Sequence, residues 1–488
     1  MSSPLLDLEP KLLWQHFDGI RQIPRPSKHE EKISAHVEQW ASEHDYELVK
    51  DAAGSMVIRV PATDGHEHDE TVVLQGHLDM VCEKNADVDH DFMTQGIVIE
   101  VDGDWVRAKG TTLGADNGIG LAAAMAVADD ADVVHGPIEI LATVDEETGL
   151  TGAKMLDASM INGKILLNLD TEEDGAIYMG CAGGADTDAF LKVSRRRGLL
   201  GSVPVKLAIR GLSGGHSGLN IIENRANAIK LATRVLQAAL YADIDVDLVS
   251  IDGGSKHNAI PRECFAVCRL DKGAIDGFRE VAEAFAKDFR EEFTATDPDL
   301  SVEVEEMDDD DATRQVLNVH ARDRLLRLLD ALPHGVQTMS RDVPGLVETS
   351  TNLAVVETQE DGLKFVTSHR SSVMPALFAL RRSVTSNFRQ AGAQVSYDEH
   401  YPGWQPNPDS AILNRAADVY ERLFGERPEI KAIHAGLECG LLLDKVPGMD
   451  AVSMGPQIEG AHSPDECVQI SSVAKFYKHL AALLEDLA

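Results

Sequence analysis

The chain has 488 residues, and its 81 Asp and Glu against 45 Lys and Arg give a formal net charge of −36 at pH 7. At about 100–200 residues per domain this length predicts roughly two to four domains, and a hydrophobic content of 43% is enough to build their cores. A surface this negative repels phosphate backbones and anionic lipid headgroups, so the composition excludes a nucleic-acid partner and argues against a membrane partner.

The N-terminal residues and the cysteines both indicate a cytoplasmic protein. No signal peptide is readable at 1–11, because this stretch lacks a basic beginning and its apolar residues are interrupted by charges. The longest nearly uncharged run, 118–128, is much shorter than the about 20 residues that a membrane span needs. The cysteines are Cys82, Cys181, Cys264, Cys268, Cys439 and Cys467. With no CxxC pair among them, they are interpreted as reduced structural thiols.

The first part of the chain predicts an α/β fold. Apolar residues at helical spacing predict helices within 5–45, on either side of a loop at 24–26. Strands are then predicted at 55–60, 71–74, 138–144 and 165–169, with a helix at 117–129. Strands that alternate with helices predict a mostly parallel central sheet flanked by helices.

The same pattern returns near the C-terminus, while the middle of the chain differs. A helix at 411–424, a strand at 451–454 and a helix at 472–487 match the style of the first part, so we expect 1–186 and 396–488 to form one domain. Strands at 203–209, 264–270, 301–305 and 363–366 and helices at 224–240 and 275–293 fill the middle. Residues 187–395 therefore predict an inserted α+β domain.

Histidines and carboxylates follow the predicted strands of the first domain. Strand 71–74 leads into His77 and Asp79, strand 138–144 into Glu146 and Glu147, and strand 165–169 into Asp170. Strand 451–454 leads towards His462, and Asp116 precedes the helix at 117–129. Because ligands bind outside the carboxyl ends of the strands in open α/β sheets, we expect these side chains to converge.

Such a group of side chains predicts a two-metal centre. Unpaired carboxylates at one sheet edge repel one another, and divalent cations between them remove that cost most simply. Two histidines with three or more carboxylates suit zinc, manganese or cobalt. Asp116 by itself would be read as a helix N-cap.

Two further carboxylates in this group have roles that follow from their spacing. Asp79 lies two positions after His77 and faces the same way on an extended segment, so it is placed to accept the second imidazole N–H. Glu146 and Glu147 point different ways from extended backbone, so one can bind metal while the other serves as a general base.

Seven motifs together resemble the di-zinc peptidase family that includes peptidase T and carboxypeptidase G. They are Gly76-His77-Leu78-Asp79, Gly114-Ala115-Asp116-Asn117-Gly118, Asp145-Glu146-Glu147-Thr148-Gly149, Asn168-Leu169-Asp170, Gly214-Gly215-His216-Ser217-Gly218, His434-Ala435-Gly436-Leu437-Glu438 and His462-Ser463-Pro464-Asp465-Glu466. Three more are typical of a dipeptidase branch of this family: Gly180-Cys181-Ala182-Gly183-Gly184, Asn258-Ala259-Ile260-Pro261-Arg262 and Tyr401-Pro402-Gly403-Trp404-Gln405-Pro406. The resemblance covers nearly the whole chain.

The resemblance implies a role for each matching residue. It implies that His77, Asp116 and Asp170 hold one zinc ion and that Asp116, Glu147 and His462 hold the other. It implies Glu146 as the general base, Asp79 as the residue behind His77, and His216 as a group that stabilises the oxyanion or binds substrate. Asn258 and Arg370 are implied to hold the substrate carboxylate. His434 reads equally well as a substrate-binding residue or as a structural histidine, and His369 as a surface residue.

The implied activity is hydrolysis of unblocked dipeptides, including Xaa-His dipeptides such as β-alanyl-histidine, by a homodimer that is joined through an inserted lid domain. One alternative keeps the metal centre but releases acyl groups from N-acyl amino acids. A second alternative is a metal-dependent binding protein, against which the free Glu146 argues.

One motif also permits a simpler structural interpretation. Ser463-Pro464-Asp465-Glu466 fits a capping box at a helix start. We favour a loop that carries His462, with the helix beginning near Ser471, because 467–470 reads as extended.

Overall fold

The structure is a computed structural model, and it describes residues 3–488. Its strands are β1 (Glu47–Lys50), β2 (Met56–Val60), β3 (Val72–His77), β4 (Ile99–Asp102), β5 (Trp105–Ala108), β6 (Ile138–Thr143), β7 (Ile165–Asn168), β8 (Ala176–Cys181), β9 (Gly183–Lys192), β10 (Arg195–Arg197), β11 (Val203–Arg210), β12 (Asp247–Gly253), β13 (Cys264–Leu270), β14 (Ser301–Glu306), β15 (Gln315–Leu317), β16 (Gly335–Met339), β17 (Val347–Thr358), β18 (Gly362–Ser371), β19 (Gln394–Tyr397), β20 (Glu429–Ile433), β21 (Asp450–Ser453), β22 (Ile458–Glu459) and β23 (Cys467–Gln469). Its helices are α1 (Lys11–Arg21), α2 (Glu31–Glu43), α3 (Ala115–Asp129), α4 (Glu146–Gly149), α5 (Thr151–Met155), α6 (Ala228–Tyr241), α7 (Ile275–Phe293), α8 (Val319–Ala331), α9 (Met374–Gln390), α10 (Ala411–Phe424), α11 (Glu438–Lys445) and α12 (Ile470–Leu487).

The chain divides into two units. The first unit comprises the chain up to Gly180 together with Trp404–Ala432 and Leu437–Ala488, and the second comprises Cys181–Gly403 and Ile433–Gly436. These boundaries differ from the predicted 186/187 and 395/396. The first crossing comes earlier because β8 belongs to the sheet of the first unit and β9 to that of the second. The second comes later because β19 pairs with β9.

The first unit is built on a mixed sheet with the order β1-β2-β6-β3-β7-β21-β8-β20. Its centre is parallel, as predicted, since β3 pairs in parallel with β6 and β7, and β21 with β7. The outer strands β2 and β8 run antiparallel to their inner neighbours. Every residue of β3 and β6 is buried, which is typical of a parallel sheet covered on both faces.

This topology gathers the strand ends that carry polar side chains. Parallel strands end at the same edge, so the residues after β3, β6, β7 and β21 come close to one another. Helix α3 packs against β3, and α10 packs against β21 and α12. A smaller sheet, β22-β23-β5-β4, lies in the same unit and positions the segment that follows His462.

The second unit contains an antiparallel sheet with the order β14-β11-β13-β12-β17-β18-β9-β19, to which β16 adds by pairing with β17. Helices α6, α7, α8 and α9 contribute to one apolar core with this sheet, in which Leu236, Phe278, Leu325 and Phe388 pack with Phe365. The predicted helix at 224–240 begins four residues later, at Ala228, because the side chain of Asn227 accepts hydrogen bonds from the N–H groups of Ile229 and Lys230.

Two properties of the whole chain complete the description. Within residues 3–488, none of the helices combines the length and the apolar character that crossing a bilayer would take. Within residues 3–488 the cysteines form no disulfide, and all except Cys82 are buried.

Candidate metal centre

The first group of predicted ligands forms at the end of β3. His77 is the last residue of that strand, and its Nε2 lies 3.0 Å from Asp116 Oδ1 and 3.4 Å from Asp170 Oδ1. Asp116 does not cap α3, because Gly114 occupies the cap position and Asp116 has extended torsion angles (φ −78°, ψ 115°). One ligand atom from each of His77, Asp116 and Asp170 lies within 4.8 Å of the others.

A second group shares Asp116 with the first. Nε2 of His462 lies 3.2 Å from Asp116 Oδ2 and 3.0 Å from Glu147 Oε2. Asp116 therefore directs one carboxylate oxygen to His77 and the other to His462. This is the geometry of a bridging carboxylate between two cation positions.

The electrostatics of these groups fit two cations. Burial and the neighbouring Asp116 raise the pKa of Asp170 to about 7. Hydrogen bonds to Asp116 and Glu147 raise the pKa of His462 to about 11. Oε1 of Glu147 is buried and accepts no hydrogen bond from residues 3–488. Three carboxylates and two imidazoles thus converge at one place, and this donor set suits zinc, manganese or cobalt.

Glu146 lies beside both groups without belonging to the bridging geometry. It opens α4, and one of its oxygens lies within 4.8 Å of ligand atoms of His77 and Glu147. Burial, with the negative charges of Asp170, Glu438 and Glu147, raises its pKa well above the usual value. A carboxylate in such surroundings accepts a proton readily, as a general base requires.

Asp79 lies behind His77, where the sequence predicted it, and it also contacts the Glu146 segment. The Nδ1 atom of His77 lies 3.1 Å from the main-chain oxygen of Asp79 and 3.4 Å from its Oδ1. The carboxylate also accepts the N–H groups of Glu146, at 3.0 Å, and Glu147, at 3.2 Å. The carbonyl is therefore the nearer partner of the imidazole, while the carboxylate fixes the backbone that carries the two glutamates.

Glu30, Asp79 and Asp145 form another close group of carboxylates that needs no ion. Glu30 accepts the N–H groups of Lys28 and Asp145, and Asp145 accepts the hydroxyls of Thr148 and Thr151. Their hydrogen bonds explain their position, so we do not count them as a metal site.

The predicted residues of the inserted domain lie in the second unit, and most of them come together there. Nε2 of His216 lies 3.3 Å from Nη2 of Arg370. His434 lies near both, since a Cβ at Gly218 would fall 2.3 Å from the oxygen of His434, 3.0 Å from the His216 ring and 3.2 Å from Arg370 Cδ. The main-chain oxygen of Asn258 accepts the N–H of Ser217, which places it beside the same loop.

The structure shows the surroundings of two histidines near this group, His434 and His369. His434 places Nε2 2.7 Å from the Ser350 hydroxyl and is buried, and burial lowers its pKa to about 3. The prediction that His369 is a surface residue is wrong, because its side chain is 0% exposed. It lies between the hydroxyls of Thr187 and Thr351, on the face of β18 opposite to Arg370.

Comparison with known proteins shows the family of the chain. A family model described as peptidase family M20/M25/M40 matches residues 73–486. The chain belongs to this family. The predicted membership of a peptidase family is therefore confirmed.

Individual M20 relatives are similar over almost the whole chain. The cytosol non-specific dipeptidase of Escherichia coli (strain K12) is 41% identical over 485 residues, which cover 99% of each chain. The structure of the aminoacylhistidine dipeptidase from Vibrio alginolyticus has a TM-score of 0.90 at 42% identity and covers 99% of this chain and 98% of its own. An aminopeptidase, PepT, from Bacillus cereus ATCC 10987 has a TM-score of 0.57 at 16% identity, covering 98% and 99% of the two chains, and shares the fold.

In this M20 chain, sequence analysis missed Glu466 and Arg25, which both bind the loop before Asp116. The buried carboxylate of Glu466 accepts the N–H groups of Leu113, Gly114, Ala115 and Asp116 at 2.7, 3.0, 2.8 and 3.3 Å. The buried guanidinium of Arg25 donates to the carbonyls of Leu78, Asp79 and Gly114. As predicted, residues 463–466 form a loop and not the start of a helix, and α12 begins at Ile470. Only the position of Glu466 in the His462 motif could have signalled its role.

Glu438 is a third residue that the sequence did not single out. Its Oε2 accepts hydrogen bonds from Gln75 Nε2 and Thr143 Oγ1, both at 2.6 Å. Burial raises its pKa to about 7. Gln75 and Thr143 belong to β3 and β6, so this carboxyl group sits behind the strand ends that carry the metal ligands.

Proposed function

We propose that this chain is a metal-dependent dipeptidase that hydrolyses unblocked dipeptides in the cytoplasm, including Xaa-His dipeptides such as β-alanyl-histidine. The observation that carries the proposal is the pair of ligand groups that share Asp116, with Glu146 free beside them. The names of the Escherichia coli and Vibrio alginolyticus relatives support the substrate class and, for the first, the compartment.

Two divalent cations, zinc in preference to manganese or cobalt, fit the two ligand groups. His77, Asp116 and Asp170 would hold one, and Asp116, Glu147 and His462 would hold the other. When bound, such cations polarise the scissile carbonyl and acidify a water molecule to a pKa near 7.

Glu146 performs the proton transfers in this proposal. One of its carboxylate oxygens takes a proton from the attacking water and delivers it to the nitrogen of the leaving amine. Burial, together with neighbouring negative charges, raises the pKa of this carboxyl group. Asp79 holds the Glu146 backbone through its hydrogen bond to the N–H, so the base keeps its position.

The second unit supplies groups for the substrate. Arg370 and Asn258 hold the free carboxylate, His216 donates to the substrate or its oxyanion, and His434 contributes to the same surface. Recognition of a free carboxylate next to the cleaved bond limits the substrate to two residues. A homodimer formed through this unit is part of the same proposal, and the mass of the protein in solution tests it.

The test is a hydrolysis panel with purified protein, before and after treatment with a chelator. The panel contains β-alanyl-histidine, Leu-His, Gly-Gly, a tripeptide and an N-acetyl amino acid. We expect cleavage of the dipeptides alone, loss of activity with chelator, and recovery when zinc, manganese or cobalt is restored.

Other results would lead to different conclusions. Turnover of the N-acetyl substrate alone would support the deacylase alternative and overturn the dipeptidase proposal. No turnover of any substrate in the presence of the restored metals would favour a binding protein.

A further inference from the structure

Two branch motifs and one family motif, none of which supplies a proposed metal ligand, meet around Tyr401 in the second unit. Gly184 and Tyr401 pair as an isolated bridge, with N–H to oxygen distances of 3.1 and 3.0 Å. A Cβ at Gly184 would lie 2.4 Å from the Tyr401 ring, and a Cβ at Gly436 would lie 3.0 Å from it. A side chain at Gly184 would therefore collide with the ring, and one at Gly436 would crowd it. Residues from three motifs thus fix the position of the Tyr401 side chain.

The hydroxyl of this tyrosine contacts Arg370. Nη1 of Arg370 donates to the Tyr401 oxygen at 3.0 Å. Arg370 is 7% exposed, and among residues 3–488 no carboxylate lies within ion-pair distance of it. A buried guanidinium without a counter-charge is costly, so this arrangement favours an anionic ligand.

His216 adds a second donor at the same place. The N–H of Leu219 donates to Nδ1 of His216 at 3.1 Å, so the neutral ring carries its proton on Nε2. Burial and the neighbouring Arg370 lower the pKa of His216 to about 4, which keeps the ring neutral at pH 7. Nε2 lies 3.3 Å from Arg370 Nη2, and both atoms are donors, so neither satisfies the other. An acceptor oxygen between them would satisfy both.

We propose that Tyr401 is a positioning residue for substrate binding, whose hydroxyl orients Arg370 so that Nη2 and the His216 Nε2–H converge on the free carboxylate of the substrate. The inference rests on the proposed function, since it deepens the recognition of a dipeptide's carboxylate. Because Nη1 is occupied by Tyr401, the guanidinium cannot rotate in its plane, and Nη2 stays beside His216.

The test compares Tyr401→Phe with the wild-type protein on one dipeptide in two forms, the free acid and the C-terminal amide. For the free acid we expect KM to rise about tenfold with kcat nearly unchanged, because one hydrogen bond to a charged group is lost from binding. For the amide the two proteins should differ by less than about twofold. An unchanged KM for the acid, or the same loss on both forms, would overturn the inference.

A matched variant and a double-mutant cycle test whether the rise in KM comes from a disturbed fold and not from Arg370. Tyr397→Phe loses a hydroxyl that contacts Thr385 on a half-exposed side chain, and it should leave KM unchanged. In an Arg370→Met background, Tyr401→Phe should cost nothing further, because the tyrosine acts through the guanidinium. A full additional loss there would show that Tyr401 acts by another route.

Two further outcomes need their own measurements: an inactive wild-type protein and a Tyr401→Phe variant that does not fold. If the wild-type protein hydrolyses no dipeptide, the proposed function is wrong, and calorimetric titration with the acid and the amide then decides the role of Tyr401. If Tyr401→Phe does not fold, Arg370→Lys should raise KM for the acid and not for the amide, since lysine keeps the charge but loses the fork that Tyr401 orients. Equal KM changes on the two forms would contradict the proposal.

Discussion

In the proposed mechanism, Glu146 transfers the proton and Glu147 binds metal. Its carboxylate lies beside the ligand groups, whereas its neighbour Glu147 contacts His462 directly. Glu146→Gln should lower kcat by at least about 100-fold, the usual contribution of a general base, and leave the metal content unchanged. Steady-state kinetics with metal analysis of the same preparation measures both.

Glu147→Gln is the matched control for that experiment. It makes the same chemical change one position along the chain but removes a ligand, so the metal content should fall together with kcat. Wild-type turnover by Glu146→Gln would show that another group is the base.

Asp116 and Asp170 differ in the number of proposed cation positions that they face. Asp116 faces both His77 and His462, whereas Asp170 faces only the first group. Asp116→Ala should therefore reduce bound zinc from two ions to less than one, while Asp170→Ala should retain the second ion. Zinc per chain after dialysis measures the difference, and equal losses would contradict a bridging role for Asp116.

At the scale of elements, the loop before α3 depends on Glu466. Each carboxylate oxygen of Glu466 accepts two backbone N–H groups, and an amide nitrogen in place of one oxygen would face two of these donors. Glu466→Gln should thus displace Asp116 and weaken metal binding about 10–100-fold, as loss of a group behind a ligand does. Competition with a chromophoric chelator measures the affinity.

The neighbouring residue provides the control for Glu466. Asp465 is exposed, so Asp465→Asn should bind metal as the wild type does. Equal affinities of Glu466→Gln and Asp465→Asn would mean that the loop holds Asp116 without the Glu466 carboxylate.

The elements also show which parts of the site were predictable from the sequence. His77, Glu147 and Asp170 follow buried strands, and the shared edge of parallel strands determines that they meet. Glu466 could not be predicted, because its partners are main-chain N–H groups about 350 positions earlier in the chain. Residue type does not distinguish a carboxylate that binds N–H groups from one that binds an ion. For the same reason, an acid facing the backbone of Glu146 was not expected at Asp79.

For the whole molecule, buried histidines predict how stability depends on pH. Burial lowers the pKa of His334, His369 and His479 to about 4, against an ordinary value of 6.5. Between these values the unfolded chain binds protons that the folded chain does not. Their contribution is therefore complete above pH 6.5 and is lost as the pH falls towards 4, by up to about 3 kcal/mol for each histidine.

Replacement of one such histidine should flatten this dependence. His369→Gln removes the titrating ring, and its loss of unfolding free energy between pH 7 and pH 5 should be about 2 kcal/mol smaller than that of the wild type. Denaturant titrations at the two pH values measure it. His320 is exposed on α8, so His320→Gln should keep the wild-type dependence, and a flattening of equal size there would contradict the assignment to His369.

The first unit is built from separated parts of the chain, and this has a consequence for its synthesis. His77, Asp116 and Asp170 all precede the second unit in the chain, whereas His462 comes 346 positions after Asp116. A nascent chain therefore contains these three residues before the second unit has been translated, but Glu466, which binds the loop before Asp116, and β21, which pairs with β7, both follow the second unit. The first ligand group can thus reach its final geometry only after the C-terminal part of the first unit has been synthesised.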